Sequence, residues 1–165
     1  MNFSFRKSVG FTLIELLIVI AIIGILAAVV IIAVNPGRQL ALANNAQRQS
    51  DANADLNALG QYAADYAGAY PAAIVAGGNY QIIGTATSGC DAPACSTVTT
   101  DAACVDLTAA GASLTPVYLT SMPTDPQTGT AAETRYAVER TTGTNPRVTV
   151  LSCDPQLGKT ISITR

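Results

Sequence analysis

The feature that most limits what this chain can be is an apolar run from Phe11 to Val34 holding a single charge, Glu15. At about 1.5 Å per residue, a helix of that length reaches roughly 36 Å, enough to cross a bilayer with some tilt. A secretory signal is the plain alternative. Its apolar region, however, is about 7–15 residues long and ends at a small-residue cleavage site. This run is longer, and no such site follows it. A simple anchor accounts for the length but leaves Glu15 unexplained, because a carboxylate costs about 2.5–3.5 kcal/mol near a membrane centre and less toward one end. Snorkelling toward headgroups is one way to lower that cost. Ahead of the run, MNFSFRKSVG carries Arg6 and Lys7. Positive charge in front of an apolar helix holds that end in the cytoplasm, which puts the remainder of the chain on the other side.

The 165 residues allow one ordinary domain plus this anchor. Only 12% of residues are charged while 49% are hydrophobic, and the apolar excess lies mainly in the N-terminal run. It therefore reports a membrane segment rather than an unusually large core. The formal charge is −2 with scattered arginines, so no nucleic-acid footprint is indicated. There is no histidine, which excludes Ser-His and Cys-His nucleophiles. Gly77-Gly78 is a lone pair, read as a turn and not a phosphate cradle. The expectation is a non-enzyme without a cofactor.

Cys90, Cys95, Cys104 and Cys153 all follow the apolar run. An even number beyond an anchor predicts two disulfides in an oxidising compartment. Three pairings are open. The preferred one is Cys90–Cys95 with Cys104–Cys153, which closes a small loop and a large one, worth roughly 2 and 4 kcal/mol. A zinc site fits less well, since only Cys90 and Cys95 approach the spacing of a ligand pair.

The stretch KSVGFTLIELLIVIAIIGILAAV resembles the class III signal of type IV pilins and type II secretion pseudopilins. Gly-Phe-Thr-Leu-Ile-Glu combines a cut site, an apolar helix and one acid at a fixed offset. The resemblance implies that prepilin peptidase cuts after Gly10 and that Phe11 becomes the N-methylated first residue. It also implies that Glu15, one turn further on, meets the new amine of a neighbouring subunit during assembly. Misregistered helices would leave both charges unpaired in an apolar setting, so the pairing fixes register.

The resemblance further implies an α+β, pilin-like fold, in which a long N-terminal helix packs on a small C-terminal antiparallel sheet. Its expected parts are a leader at 1–10, a transmembrane and filament-core helix at 11–34, an amphipathic helix at 35–70 and a globular head at 71–165. Gly24 interrupts the anchor mildly, and Asn35-Pro36-Gly37 interrupts it more strongly. Asn35 either caps a second helix with Pro36 at its first position, or the helix continues with a kink. In pilin filaments the corresponding region is often locally melted around a glycine and a proline; here the proline lies later than in many members.

Beyond Arg38, helical spacing continues. Ala52, Leu56, Leu59, Ala63 and Tyr66 form the expected core stripe, while Arg48, Asp51 and Asp55 fall on a more polar face, the two aspartates as solvated residues. RQSDANADLNALGQYAADYAGAYP resembles pilin and G-type pseudopilin chains whose long helix ends in a Gly-x-Tyr-Pro turn, here near Gly68. Residues 72–116 show no clear period, with Asn79–Ile83 a short strand candidate. Val117-Tyr118-Leu119 leads into a Pro- and Gly-punctuated turn, SMPTDPQTGT. Thr134–Arg140, Arg147–Ser152 and Thr160–Thr164 each alternate, predicting three antiparallel strands. Tyr136/Val138, Val148/Val150 and Ile161/Ile163 give them one apolar face, aimed at the helix stripe. G-type pseudopilins bind calcium in a loop of this general region. Asp91, Asp101, Asp106 and Asp125 do not reproduce a ligand set and read as polar loop residues.

The expected function is a structural pilin. The precursor is single-pass in the cytoplasmic membrane, then becomes part of an extracellular pilus. Its partners are copies of itself or a mixed filament, prepilin peptidase, membrane lipid before assembly, and an assembly ATPase with its inner-membrane platform. A type II secretion pseudopilin, or a low-copy minor pilin serving as adhesin or DNA-uptake subunit, shares the same N-terminal features.

Overall fold

A computed structural model describes residues 10–91, 95–109 and 113–165. The chain divides into two compact units, one up to Gln39 and one from Leu40 onward. Helix α1 runs Leu13–Val34 and α2 runs Pro36–Asp65. Strands β1 (Gln81–Ile82), β2 (Tyr136–Arg140), β3 (Val148–Ser152) and β4 (Ser162–Thr164) form one sheet in the order β1-β2-β3-β4. The architecture is α+β and pilin-like, as expected.

In the first unit, α1 buries none of its residues. Its Leu, Ile and Val side chains point outward all round, which suits lipid or other helices on every side and not a one-sided protein core. Among the described residues it is the helix long and apolar enough to cross a membrane. It stops at Asn35, which adopts a left-handed conformation (φ 45°) that asparagine tolerates better than the β-branched residues before it. The Asn35 side chain then accepts the Arg38 amide at 3.3 Å, and Pro36 opens α2 where its missing N–H costs nothing. Of the two openings left by the sequence, the cap is the one adopted.

In the second unit, α2 packs its 40–65 portion on the sheet. Ala52, Leu56, Leu59 and Tyr62 meet Tyr136 and Val138 of β2 and Val148 and Val150 of β3, with Ile163 of β4 at the edge. All three strand pairings are antiparallel, and the register sets Val138 opposite Val150 and Val150 opposite Ile163. The three predicted strands are present, each starting one or two residues later than expected. Asn79–Ile83 contributes the two-residue β1. Helix α2 ends at Asp65, ahead of a turn in which Ala67 and Gly68 are left-handed and the Gly68 amide donates to Ala63 O at 2.7 Å.

Three expectations need correction here. The buried face of α2 runs through Ala41, Asn45, Arg48, Ala52, Asp55, Leu56, Leu59 and Tyr62, so Arg48 and Asp55 belong to the core and not to a polar outer face, while Tyr66 is exposed. The sheet also has two covered faces. Ile82, Ala137 and Leu151 pack with Cys90, Cys95 and Cys153 on the side away from α2.

The third correction concerns the disulfides, which are Cys90–Cys104 and Cys95–Cys153, not Cys90–Cys95 and Cys104–Cys153. Backbone bonds from Cys90 N to Ala102 O (3.0 Å) and from Cys104 N to Ala86 O (3.1 Å) lay those two segments side by side. That brings the Cα atoms of Cys90 and Cys104 to 5.3 Å, within bridging range. Cys153, just past β3, then faces Cys95 on the outer side of the sheet. With separations of 14 and 58 residues, these closures are worth about 3 and 4 kcal/mol in the chain-entropy picture.

Candidate functional site: the processing and assembly segment

Gly10, Phe11, Thr12 and Glu15 lie together at the start of α1. Gly10 is exposed, and a Cβ built on it meets nothing within 4 Å among the described residues. Packing among the described residues therefore gives no reason for a glycine there. Phe11 is 79% exposed although it is one of only three phenylalanines. Residues 1–9, including Arg6 and Lys7 of the expected leader, lie outside the described residues.

Thr12 is the N-cap of α1 and makes a reciprocal capping box with Glu15. The Thr12 amide and hydroxyl each donate to Glu15 Oε2 at 2.9 Å, and the Glu15 amide donates back to Thr12 Oγ1 at 3.3 Å. Glu15 thus satisfies one carboxylate oxygen within its own first turn, where a negative charge also complements the helix dipole. Both bonds fall on Oε2, which leaves Oε1 directed to no donor among the described residues. Thr12 was missed in the sequence reading, yet its signal was present: Thr12-Leu13-Ile14-Glu15 is the Thr-x-x-Glu pattern ahead of an apolar run.

The comparisons now bear on this segment. Residues 6–31 match the prokaryotic N-terminal methylation motif. The chain carries a class III prepilin signal. That signal marks a structural, pilin-type protein, and with the apolar α1 it fits a membrane-anchored precursor. No curated protein and no solved structure matches the chain.

The head presents a different arrangement. Arg48 of α2 is buried with all five N–H donors engaged: Nε and Nη2 on the two oxygens of Asp125 at 2.5 and 3.1 Å, Nη2 also on Gln127 Oε1, and Nη1 on Asn45 Oδ1 and Gln156 Oε1. Asp125 receives further bonds from the Gln127 and Thr128 amides. Burial pushes the Asp125 carboxyl up, but the Arg48 and backbone bonds outweigh it and hold the group below its ordinary value. Asn45 clamps the 154–158 turn by exchanging two bonds with the Gln156 backbone, at 2.8 and 2.9 Å. Arg135 holds Asp154 with both Nε and Nη2, at 2.7 and 2.9 Å.

The four loop aspartates do not converge. Asp125 is committed to Arg48, Asp101 accepts from Asn79 and Asp106 accepts from Thr108. Among the described residues, no three His, Cys, Asp or Glu side chains group as metal ligands. The four cysteines are spent on the two disulfides.

Proposed function

We propose that this chain is a structural subunit of a type IV pilus or a closely related filament. It is made as a single-pass precursor with its leader, residues 1–10, in the cytoplasm. Prepilin peptidase cuts it after Gly10, and Phe11 is N-methylated. The apolar helix of residues 11–34 leaves the bilayer as the filament grows and becomes the core. The amphipathic helix of 35–70 and the head of 71–165 form the outer layer. Polymerisation with its own copies or in a mixed filament needs an assembly ATPase and a membrane platform supplied by other chains.

The observation that carries this reading is the prepilin signal joined to a helix that buries none of its apolar side chains. Such a helix must be covered by something, and lipid followed by like helices serves without changing the solvent it meets. Glu15 supports the reading because Oε1 meets no donor among the described residues and can accept an amine, while Oε2 is held by Thr12. In a staggered array, the methylated amine of Phe11 in one subunit neutralises Glu15 in the next. Gly10 supports it because nothing among the described residues crowds that position or requires a glycine there.

The test is the intact mass and N-terminal sequence of the protein taken from cell membranes. A chain starting at methylated Phe11 is the expected result. An uncut chain in cells with active prepilin peptidase would remove both the processing and the assembly roles. Long sheared extracellular filaments containing the chain favour a pilus, and their absence beside an intact secretion system favours a pseudopilus.

A further inference from the structure

Asp55 is a titratable group that neither processing nor assembly uses. It lies on the sheet-facing side of α2, is 1% exposed, and neither carboxylate oxygen has a hydrogen-bond partner among the described residues. Among the described residues, no charged or titratable group hydrogen-bonds to it. On α2, Arg48 spends its five donors on Asp125, Asn45, Gln127 and Gln156. One turn before Asp55, Asp51 accepts from Gln47 and from the Tyr136 hydroxyl, at 2.7 and 2.8 Å. From β2, the Tyr136 hydroxyl donates to Asp51, and Arg140, on the same face of the strand, keeps a buried Nε without a partner among the described residues. From the loop before the sheet, Asp125 is closed by Arg48. None of these donates to Asp55.

An ionised carboxylate in that place would lack every compensating bond. It would also face Asp51 across an i, i+4 helical pair, an arrangement that disfavours like charges. We propose that Asp55 is held in the folded head as the neutral acid, making the seat of α2 on β2 and β3 a proton-operated latch that loosens as pH rises. The part of α2 that carries the latch is the segment from Arg48 to Tyr62, whose inward side chains form the core with Tyr136, Val138, Val148 and Val150.

The electrostatics point the same way: burial first, and the charge of Asp51 second, push the Asp55 carboxyl well above its ordinary value. A raised acid stabilises the fold fully below the unfolded value of about 3.9, and that stabilisation is lost as pH rises to the folded value. Across that window the unfolding constant grows about tenfold for each pH unit. Asp125 and Asp154 are both held below their ordinary value, burial raising each and hydrogen bonds from Arg48 and Arg135 outweighing it. Their stabilisation is present above about pH 4 and fails as pH falls below it, so the two effects occupy separate ranges. The latch does not depend on filament membership.

The experiment uses the full chain in detergent micelles. Carbon-13 NMR of labelled aspartate side chains follows Asp55 directly, and urea unfolding monitored by tyrosine fluorescence compares the native protein with Asp55→Asn across pH. The expected result is an Asp55 carboxyl titrating well above its neighbours. Alongside it, the Asp55→Asn unfolding constant should be at least about tenfold smaller than the native one near pH 8, with the two converging near pH 4. An Asp55 carboxyl titrating at or below about 3.9 would overturn the latch. So would equal pH dependence in the two proteins. Should Asp55→Asn fail to fold, the native titration decides alone. A midpoint lowered by millimolar calcium or by potassium would give the site to a cation and overturn the proton as its occupant.

Discussion

Glu15 on α1 and Arg48 on α2 are each a charge on a long helix, and they are stabilised in opposite ways. Glu15 belongs to a helix with no buried residue, and its bonded partner, Thr12, is three positions away. Arg48 is 1% exposed, and its partners Asp125, Gln127 and Gln156 lie 77, 79 and 108 residues along the chain. The first charge therefore keeps its meaning when read from the local sequence. The second acquires its meaning only when distant loops close on it. In the proposed filament, Glu15 keeps an oxygen for another molecule, whereas Arg48 has no donor left to give.

The comparison can be broken at either end, and the largest effect is expected at Glu15. Glu15→Ala should leave precursor insertion and cleavage intact yet abolish filaments, as read by electron microscopy of sheared surface material. Normal filament yield would sink the register role. Arg48→Ala comes next, because it leaves Asp125 charged and buried with no cation beside it, only the Gln127 and Thr128 bonds remaining. A loss of about 3–5 kcal/mol of head stability is expected in urea unfolding, partly recovered by adding Asp125→Leu. If Arg48→Ala costs under about 1 kcal/mol, the Arg48–Asp125 pair does not hold the loop before β2 on α2.

Replacing both Cys95 and Cys153 with serine should cost roughly 2–5 kcal/mol while leaving Cys90–Cys104 in place. Non-reducing peptide mapping of the native protein tests the pairing first, and a Cys90–Cys95 peptide would overturn it. The smallest effect sharpens the other side. Thr12→Ala removes the cap and should cost about 1 kcal/mol of helix stability at the start of α1, visible as faster amide exchange there. Its filament yield should fall less than that of Glu15→Ala, since the carboxylate remains.

Much of the architecture was legible. The apolar run, its exit at Asn35-Pro36 and the alternation in the last three strands each encode structure through neighbours one turn or two residues apart. The prepilin signal was legible from its local pattern, apart from the Thr12 cap, which the Thr-x-x-Glu spacing encodes. What was misread shares one cause. The buried stripe of α2 continues at three- and four-residue steps through Asn45, Arg48, Asp55 and Tyr62, but a search for apolar side chains passes over its polar members. Asp125 read as a solvated loop residue because nothing within its own loop supplies an arginine.

By itself, the sequence determined that α1 is a helix for an apolar surrounding, that its one acid sits one turn after Phe11, and that three late strands alternate. These follow from periodicity, which acts over one or two turns of backbone. Only the tertiary structure decided which cysteines pair, which polar residues are core, and that the sheet is covered on both faces. Each of those depends on segments tens of residues apart arriving at the same place. Cys90 meets Cys104 through the bonds that tie Ala86 and Ala102 beside them, and Arg48 meets Asp125 where the loop before β2 folds back on α2. Spacing along the chain carries no record of such meetings, because the energy that fixes them is spread over the whole packed head.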